Sequence, residues 1–482
     1  MKKSYLMLAA VAALFAACSS GSDDVAERPS VQNSITDQVP VSFDTYVNRG
    51  TTRAGLTGEI KDDAATLRTS GFGVFAYYTN ADNYDQTFTP NFMYNQHVTY
   101  SSDWTYTPVK YWPNEFGSGA LSDDVDKVSF FAYAPYVTVN PTSGKVNGNG
   151  STYPQDDGGI EMGIVGMKNN NTTGDPMVKY ISTFYTDKQV DLVWGTQIGD
   201  WNIKQTEAAQ TGFTAGKPWL DVQHPKATAG NQRLQFNFQH SLAALNVTVD
   251  TKANSADPTT VSEPTKTKIF IRSVTFEGFD TKGALNLNNT IANTALWYNF
   301  DCNNELNNGA EVTIQDGRKD GKEGLTAATK EYAAINPTFV QSNVWGYTQP
   351  GVTGTANNLF AKLNGGIFAA PDAKTDPIYV IPNGDKLKVT IEYDVMTTDG
   401  NLAGTLNDGV TKGSVVKNVI TRYITNDGTK DLDGTSGKCI ILTNGKKYTI
   451  TLHLALNSVE FTASVTGWTG PDNGSADLPH NN

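Results

Sequence analysis

Cysteine and histidine are scarce in this chain, whose 482 residues include three cysteines and five histidines. Neither type clusters with the spacing of a metal site, so the sequence predicts no bound metal and no cofactor. Basic residues are outnumbered by acidic ones, 37 to 49, and the formal net charge is −12. An acidic surface repels nucleic acid, which we exclude as a partner. After the N-terminal segment, no apolar run approaches the about 20 residues of a membrane-spanning helix.

A catalytic arrangement is also lacking. Nucleophilic catalysis needs a base within hydrogen-bonding reach of the nucleophile. His240 and Ser241 are adjacent, but neighbouring residues on a strand point to opposite faces, so we expect His240 to be a packed core residue. Asp427–Gly434 resembles part of a calcium loop, and Asp316–Glu323 does so more weakly, but neither has the full ligand spacing, and we expect ordinary turns. The sequence therefore predicts a protein that is not an enzyme.

The first seventeen residues have the organisation of an export signal. Two lysines precede an apolar stretch from Leu6 to Phe15, and two alanines then precede Cys18. This arrangement predicts cleavage before Cys18 and lipidation of Cys18, so that a lipid anchor holds the precursor to the membrane. An ordinary secretory signal with an incidental cysteine is the alternative. Cys302 and Cys439 then remain, and an exported location permits a disulfide between them without requiring one.

What the chain contains is the pattern of an all-β protein. Its 44 glycines and 20 prolines separate short alternating or aromatic-rich segments, and helical patterns are few. The segment Val39–Thr45 alternates, so that Val39, Val41 and Phe43 share one face. The length favours two domains. We expect a signal peptide over 1–17, a leader with an N-terminal strand over 18–53, and β-sandwich domains over 54–230 and 231–482.

Several segments, taken in order along nearly the whole chain, resemble the fimbrillin family of Bacteroidetes, the pilin-like lipoproteins of type V pili. They begin with the lipoprotein signal. They continue with Val39–Thr45 followed by Thr52-Arg53-Ala54, Lys110-Tyr111-Trp112-Pro113 with Val128–Tyr136, Phe236–Leu245, Gly283-Ala284-Leu285, Tyr379–Pro382 and Gly445–Trp468. Each segment alone is a weak signal, and their shared order carries the resemblance.

The resemblance implies two transthyretin-like antiparallel β-sandwich domains in tandem and an outer-membrane lipoprotein precursor that ends in a cell-surface fimbrium. It also implies that the first strand, with Val39, Val41, Phe43 and Thr45, completes the protein's own sandwich. An Arg-specific surface protease then cuts, and a strand of another pilin subunit replaces the first strand.

We expect the cut after Arg53, in preference to Arg49, in a Gly/Thr-rich stretch. A plain loop arginine is the other interpretation.

The last residues depart from the pattern of a shaft subunit. After Trp468 the chain is polar, carries two prolines and cannot alternate as a donor strand would, which favours a tip or accessory role. The alternative function is a non-polymerising surface lipoprotein that binds glycans or host ligands through loop aromatics. Six tryptophans could serve such a platform, although strand tryptophans usually fill cores; they are Trp104, Trp112, Trp194, Trp201, Trp219 and Trp297.

Overall fold

The computed structural model describes seventeen stretches of the chain. Their regular secondary structure is β-strand, apart from one short helix. The described residues are 39–45, 65–113, 126–146, 163–182, 190–197, 214–223, 233–251, 267–300, 310–313, 333–334, 357–358, 363–364, 367–368, 377–406, 410–428, 431–454 and 459–468. The helix is α1 (Ala65–Ser70).

The strands are β1 (Ser42–Thr45), β2 (Phe72–Asn80), β3 (Met93–Tyr100), β4 (Trp104–Thr105), β5 (Lys127–Ala134), β6 (Gly163–Met167), β7 (Met177–Ile181), β8 (Val193–Thr196), β9 (Trp219–Gln223), β10 (Arg233–His240), β11 (Ala243–Thr251), β12 (Thr267–Phe279), β13 (Lys282–Asn286), β14 (Leu296–Tyr298), β15 (Ala310–Thr313), β16 (Ala333–Ala334), β17 (Asn357–Asn358), β18 (Leu363–Asn364), β19 (Ile367–Phe368), β20 (Ile378–Val380), β21 (Lys388–Thr398), β22 (Gly413–Tyr423), β23 (Lys446–Leu454) and β24 (Val459–Gly467).

An eight-stranded sheet carries the N-terminal strand at one end. Its order is β1-β10-β8-β5-β2-β3-β4, and β9 pairs with β5. The centre of this sheet is buried on both faces, as the near-continuous apolar run of β5 indicates. Phe130 of β5 points into an aromatic cluster on one face, and Phe131 points into the large core on the other.

The large core lies between the eight-stranded sheet and a four-stranded sheet of order β14-β13-β7-β6. Trp194 of β8, Tyr180 of β7 and Leu285 of β13 pack within it. Residues from the end of the chain also contribute to it, since Tyr379 and Trp468 belong to the same cluster of buried side chains.

A second core lies between two five-stranded sheets. One has the order β17-β11-β23-β24 with β20 on β11, and the other has the order β15-β12-β21-β22 with β16 on β12. Leu245 of β11, Ile391 of β21 and Ile450 of β23 are among its fully buried members. The remaining sheet is the two-stranded pair of β18 and β19.

The all-β prediction is confirmed, and the sheets also contain two parallel pairs of strands. The prediction was of antiparallel sheets, but β1 pairs in parallel with β10, and β11 pairs in parallel with β23. The division into two domains near residue 230 stays a prediction, and strands from both sides of that point pair with one another. Strand β10 lies beyond that point and belongs to the eight-stranded sheet, and β13 pairs with β7 from before it. The Pro/Gly/Ala-rich stretch around residue 230 therefore lies between two strands that pack within one body.

Candidate functional site

The N-terminal strand β1 occupies a groove, with one face toward the core. Val41, Phe43 and Thr45 are between 1% and 4% exposed, whereas Ser42 and Asp44 are only half-buried. This is the period of two that the sequence predicted for a strand with one buried face. Val39 is half-buried. Cys18, Arg49, Arg53 and Cys302 lie outside the described residues.

One edge of β1 pairs with β10 in a parallel ladder. Ser42 lies opposite Arg233, Phe43 opposite Leu234, and Thr45 opposite Phe236. The ladder is four residues long, which is short for a strand that holds a sheet edge. Side-chain packing must therefore supply much of the stabilisation of β1.

The other edge of β1 is covered by the segment from Trp104 to Lys110. The Val41 amide donates to the Lys110 carbonyl at 2.9 Å, and the Tyr106 hydroxyl donates to the Val41 carbonyl at 2.7 Å. The indole N–H of Trp104 donates to Thr45 Oγ1 at 3.2 Å. Burial raises the pKa of Tyr106 to about 12, so its hydroxyl stays protonated and able to donate at neutral pH. Strand β1 thus has hydrogen-bonding partners on both sides.

The Phe43 side chain fills an aromatic pocket at the base of this groove. Its ring centroid lies 5.4 Å from Tyr106, 5.9 Å from Phe236, 6.0 Å from Phe130 and 6.4 Å from Phe72. These separations are those of stacked and edge-to-face ring pairs. The sequence predicted that Phe43 faces inward, but it did not reveal the four rings, three of which come from β2, β5 and β10 and the fourth from the residue after β4.

An ion pair lies beside the outward face of β1. Arg233, opposite Ser42, donates through both terminal guanidinium nitrogens to the two carboxylate oxygens of Asp103, just before β4. The Arg233 guanidinium holds the pKa of Asp103 below its usual range. The side chains are 30% and 45% exposed, respectively. Sequence analysis missed this pair, because the two residues are 130 positions apart.

The remaining sequence candidates are structural. His240 is 0% exposed, places Nδ1 2.7 Å from Asp191 Oδ2, and stacks on Trp468 at 3.8 Å, which confirms the expected core histidine. The neighbouring Ser241 hydroxyl donates instead to the Leu192 carbonyl. The two side chains do not form a catalytic pair.

The tryptophans considered for a glycan platform are core residues where they are described. Five of them are at most 7% exposed, namely Trp104, Trp112, Trp194, Trp219 and Trp297. Trp201 lies outside the described residues. A buried ring cannot stack on a sugar, so these five offer no glycan platform.

In the calcium-like segment, the described residues from Asp431 onward form a turn that the Asp431 carboxylate holds. This carboxylate accepts hydrogen bonds from the amides of Gly434 at 2.8 Å and Ser436 at 3.0 Å. The Cys439 thiol, which is free, also donates to it at 3.0 Å. Burial and the nearby Asp431 carboxylate raise the pKa of Cys439 to about 11. A carboxylate that accepts this many hydrogen bonds from its own segment stabilises an ordinary turn, as expected.

Within the described residues, no group of three or more His, Cys, Asp or Glu side chains is placed to hold a metal ion. Among the helices of the described part, none is long and apolar enough to cross a membrane.

The chain is 25% identical over 467 residues to fimbrium subunit Fim1C of Phocaeicola vulgatus, a match that covers 91% of this chain and 92% of that protein. No protein-family model matches the chain. Among solved structures, a fimbrial protein of Bacteroides vulgatus shares 21% identity and a TM-score of 0.40, covering 89% of this chain and 99% of that chain. A fimbrilin of Porphyromonas gingivalis shares 9% identity and a TM-score of 0.30, covering 90% and 98%. The relative that matches nearly the whole length confirms the resemblance to the fimbrillins, which are structural proteins and not enzymes.

Proposed function

We propose that this protein is a fimbrial subunit that is exported as a lipoprotein and assembled at the cell surface by exchange of β1 for a strand of another subunit. The observation that carries this proposal is the position of β1. It is the first strand of the described chain, it lies at the end of its sheet, and it fills a groove lined by aromatic side chains.

The energetics of β1 suit a strand that is held but replaceable. Burying Val41 and Phe43 contributes about 1.5–3 kcal/mol each. Ordering each residue of the strand costs about 1–2 kcal/mol of backbone entropy. These contributions are of similar size, so the free energy that docks β1 is a small difference between them. A strand with comparable inward side chains and a full ladder can compete for the groove.

Cleavage in the leader changes the competition for the groove. While β1 is joined to the rest of the chain, its effective concentration at the groove is high, on the order of millimolar for a short flexible connection. A cut after Arg53 would remove this advantage without ejecting the strand. The lipid on Cys18 would then stay with the leader, and the cleaved subunit would be free to enter a fimbrium. An Arg-specific surface protease is the agent that this order of events requires.

A tip or accessory position suits the chain better than a shaft position. The last described residue is Trp468, whose indole is buried against His240 and Tyr379. The fourteen residues that follow are polar and include two prolines, which suit a donor strand poorly. A tip subunit accepts a strand and has no need to donate one. Its partners are other pilin subunits on one side and a host glycan or protein on the other.

The test is the N-terminus of the protein taken from purified fimbriae. We expect wild-type chains to begin at Ala54, and we expect Arg53→Ala to remove that N-terminus and lower the amount of assembled protein. Arg49→Ala is the matched control and should leave Ala54 as the first residue. Surface material that retains the lipid on Cys18 in every chain would contradict the proposal.

A second experiment tests the groove. A specific protease sequence replaces residues 50–52, and a fluorescent peptide of sequence 39–45 is offered to the cut and uncut full chains. We expect the peptide to bind the cut chain, and a peptide with alanine at Phe43 to bind it much more weakly. Equal binding of the peptide to both chains would mean that cleavage does not open the groove.

A further inference from the structure

The groove is closed on its solvent side by the ion pair of Arg233 and Asp103. We propose that this pair is a clasp across β1, which positions the strand and must open before β1 can leave or another strand can enter. The inference rests on the proposed strand exchange and assigns two further residues to it, neither of which lines the Phe43 pocket.

The register of β1 and β10 places Arg233 on the outward side of the strand. Arg233 lies directly opposite Ser42, and directly opposed residues in neighbouring strands project to the same face. Ser42 is half-buried on the face opposite Phe43. The Arg233 side chain therefore projects toward the solvent side of the groove.

Asp103 holds the opposite wall of the groove. It directly precedes Trp104, whose indole donates to the inward-facing Thr45 Oγ1, and the same segment reaches the free edge beside β1 where the Val41 amide donates to the Lys110 carbonyl. The two charged residues thus belong to the two chain segments that flank β1. Their pairing connects these segments across the outward face of the strand.

The pair has the geometry of a strong surface contact. Two parallel N–H···O bonds join the guanidinium to the carboxylate, which adds directionality to charge attraction. The Trp104 amide donates to Asp103 Oδ1 at 2.8 Å and orients the carboxylate. The hydrogen bonds to Asp103 raise the pKa of Arg233, and the charges of Asp103 and of Asp44 on β1 add to this effect. The clasp therefore also contacts the strand electrostatically.

The residues around β1 leave only the outward direction open for the strand to move out of the groove. Inward movement is blocked by the aromatic pocket, and lateral movement is blocked by β10 on one side and by Trp104–Lys110 on the other. A strand that moves outward passes between Arg233 and Asp103. Because these side chains are partly exposed, salt should weaken the pair and hasten opening.

The test is hydrogen exchange of the β1 amides in the intact, uncleaved full chain. We expect Arg233→Gln and Asp103→Asn each to speed exchange of Ser42–Thr45 about threefold to fivefold at low salt, the range that exposed ion pairs reach. At 1 M NaCl, where the screening length falls to about 3 Å, we expect wild type and variants to exchange alike. Asparagine at position 103 retains an oxygen for the Trp104 amide, so its effect would report the lost charge.

Two further variants distinguish a clasp from a general role of these residues in packing: a reversal of both charges and a matched control. Arg233→Asp combined with Asp103→Arg should restore slow exchange relative to either single reversal. Lys438→Gln, which removes the exposed pair with Asp427, should not alter β1. Unchanged β1 exchange in the single variants, or a double reversal as fast as the singles, would overturn the clasp. A different result would refute strand exchange and leave the clasp intact. In it, the variants change β1 exchange as expected, but the cut chain never takes up a second strand.

Discussion

Replacing Phe43 by alanine should release β1 while leaving the rest of the protein folded. The Phe43 ring is 1% exposed and contacts four aromatic rings at 5.4–6.4 Å. Removing a buried phenylalanine from a core costs about 3–5 kcal/mol. This exceeds the small free energy that docks β1, because burial and strand ordering nearly offset each other there. The variant should therefore lose the docked strand. The free energy of unfolding of the whole protein should fall by no more than the free energy that docks β1.

Hydrogen exchange with mass spectrometry distinguishes this local release from general destabilisation. In Phe43→Ala, the amides of Ser42–Thr45 should exchange almost as fast as in an unfolded peptide, whereas those of β21 should keep wild-type protection. Phe131→Ala is the matched control, because Phe131 is equally buried but lies on the central strand β5. It should lower the free energy of unfolding of the whole protein without releasing β1 selectively. Wild-type protection of β1 in Phe43→Ala would refute the reasoning.

Three further predictions concern other parts of the chain. Burial raises the pKa of Asp280 to about 6, so the stability that its proton contributes is complete below about pH 4 and is lost as the pH rises through 6. Asp280→Asn should accordingly raise the melting temperature at pH 7.5 and leave it unchanged at pH 3.5; an equal shift at both would show that charge is not the cause. Cys18→Ala should block lipidation, and normal surface abundance of this variant, measured by whole-cell labelling, would contradict the lipoprotein prediction. Gly71 ends α1 with φ +66°, where a side chain would also meet the Val98 carbonyl, so Gly71→Ala should cost more than about 1 kcal/mol in urea unfolding, and a neutral effect would argue against this turn.

The sequence predicted local features well and long-range partners poorly. The alternation in Val39–Thr45 correctly indicated a strand whose Val41 and Phe43 face the core. It could not indicate that β10 lies alongside in parallel, or that Trp104–Lys110 covers the other edge. Pairing partners follow from the packing of whole sheets, and a short strand carries no record of them in its own residues. The Arg233–Asp103 pair was invisible for the same reason.

Composition suggested a division into domains that stays a prediction. The stretch at 223–232 is rich in the residues that form linkers, and a linker there suggested two independent sandwiches. In the structure, β9 and β10, which flank this stretch in the sequence, belong to the same sheet. Turn residues connect neighbouring strands as readily as they connect domains. The five described tryptophans considered for a glycan platform are buried, as tryptophans on strands usually are.

The membership of Trp468 in the large core has a consequence for the time at which the protein can fold. That core joins Phe75 of β2 to Trp468, the last described residue. An incomplete chain emerging from the ribosome lacks the C-terminal side chains that cover the eight-stranded sheet. Its apolar face therefore stays open until Trp468 has been synthesised, because contacts between residues so distant in sequence form only when both residues are present. If the chain is exported as we propose, this delay keeps it unfolded while it passes through a narrow export channel.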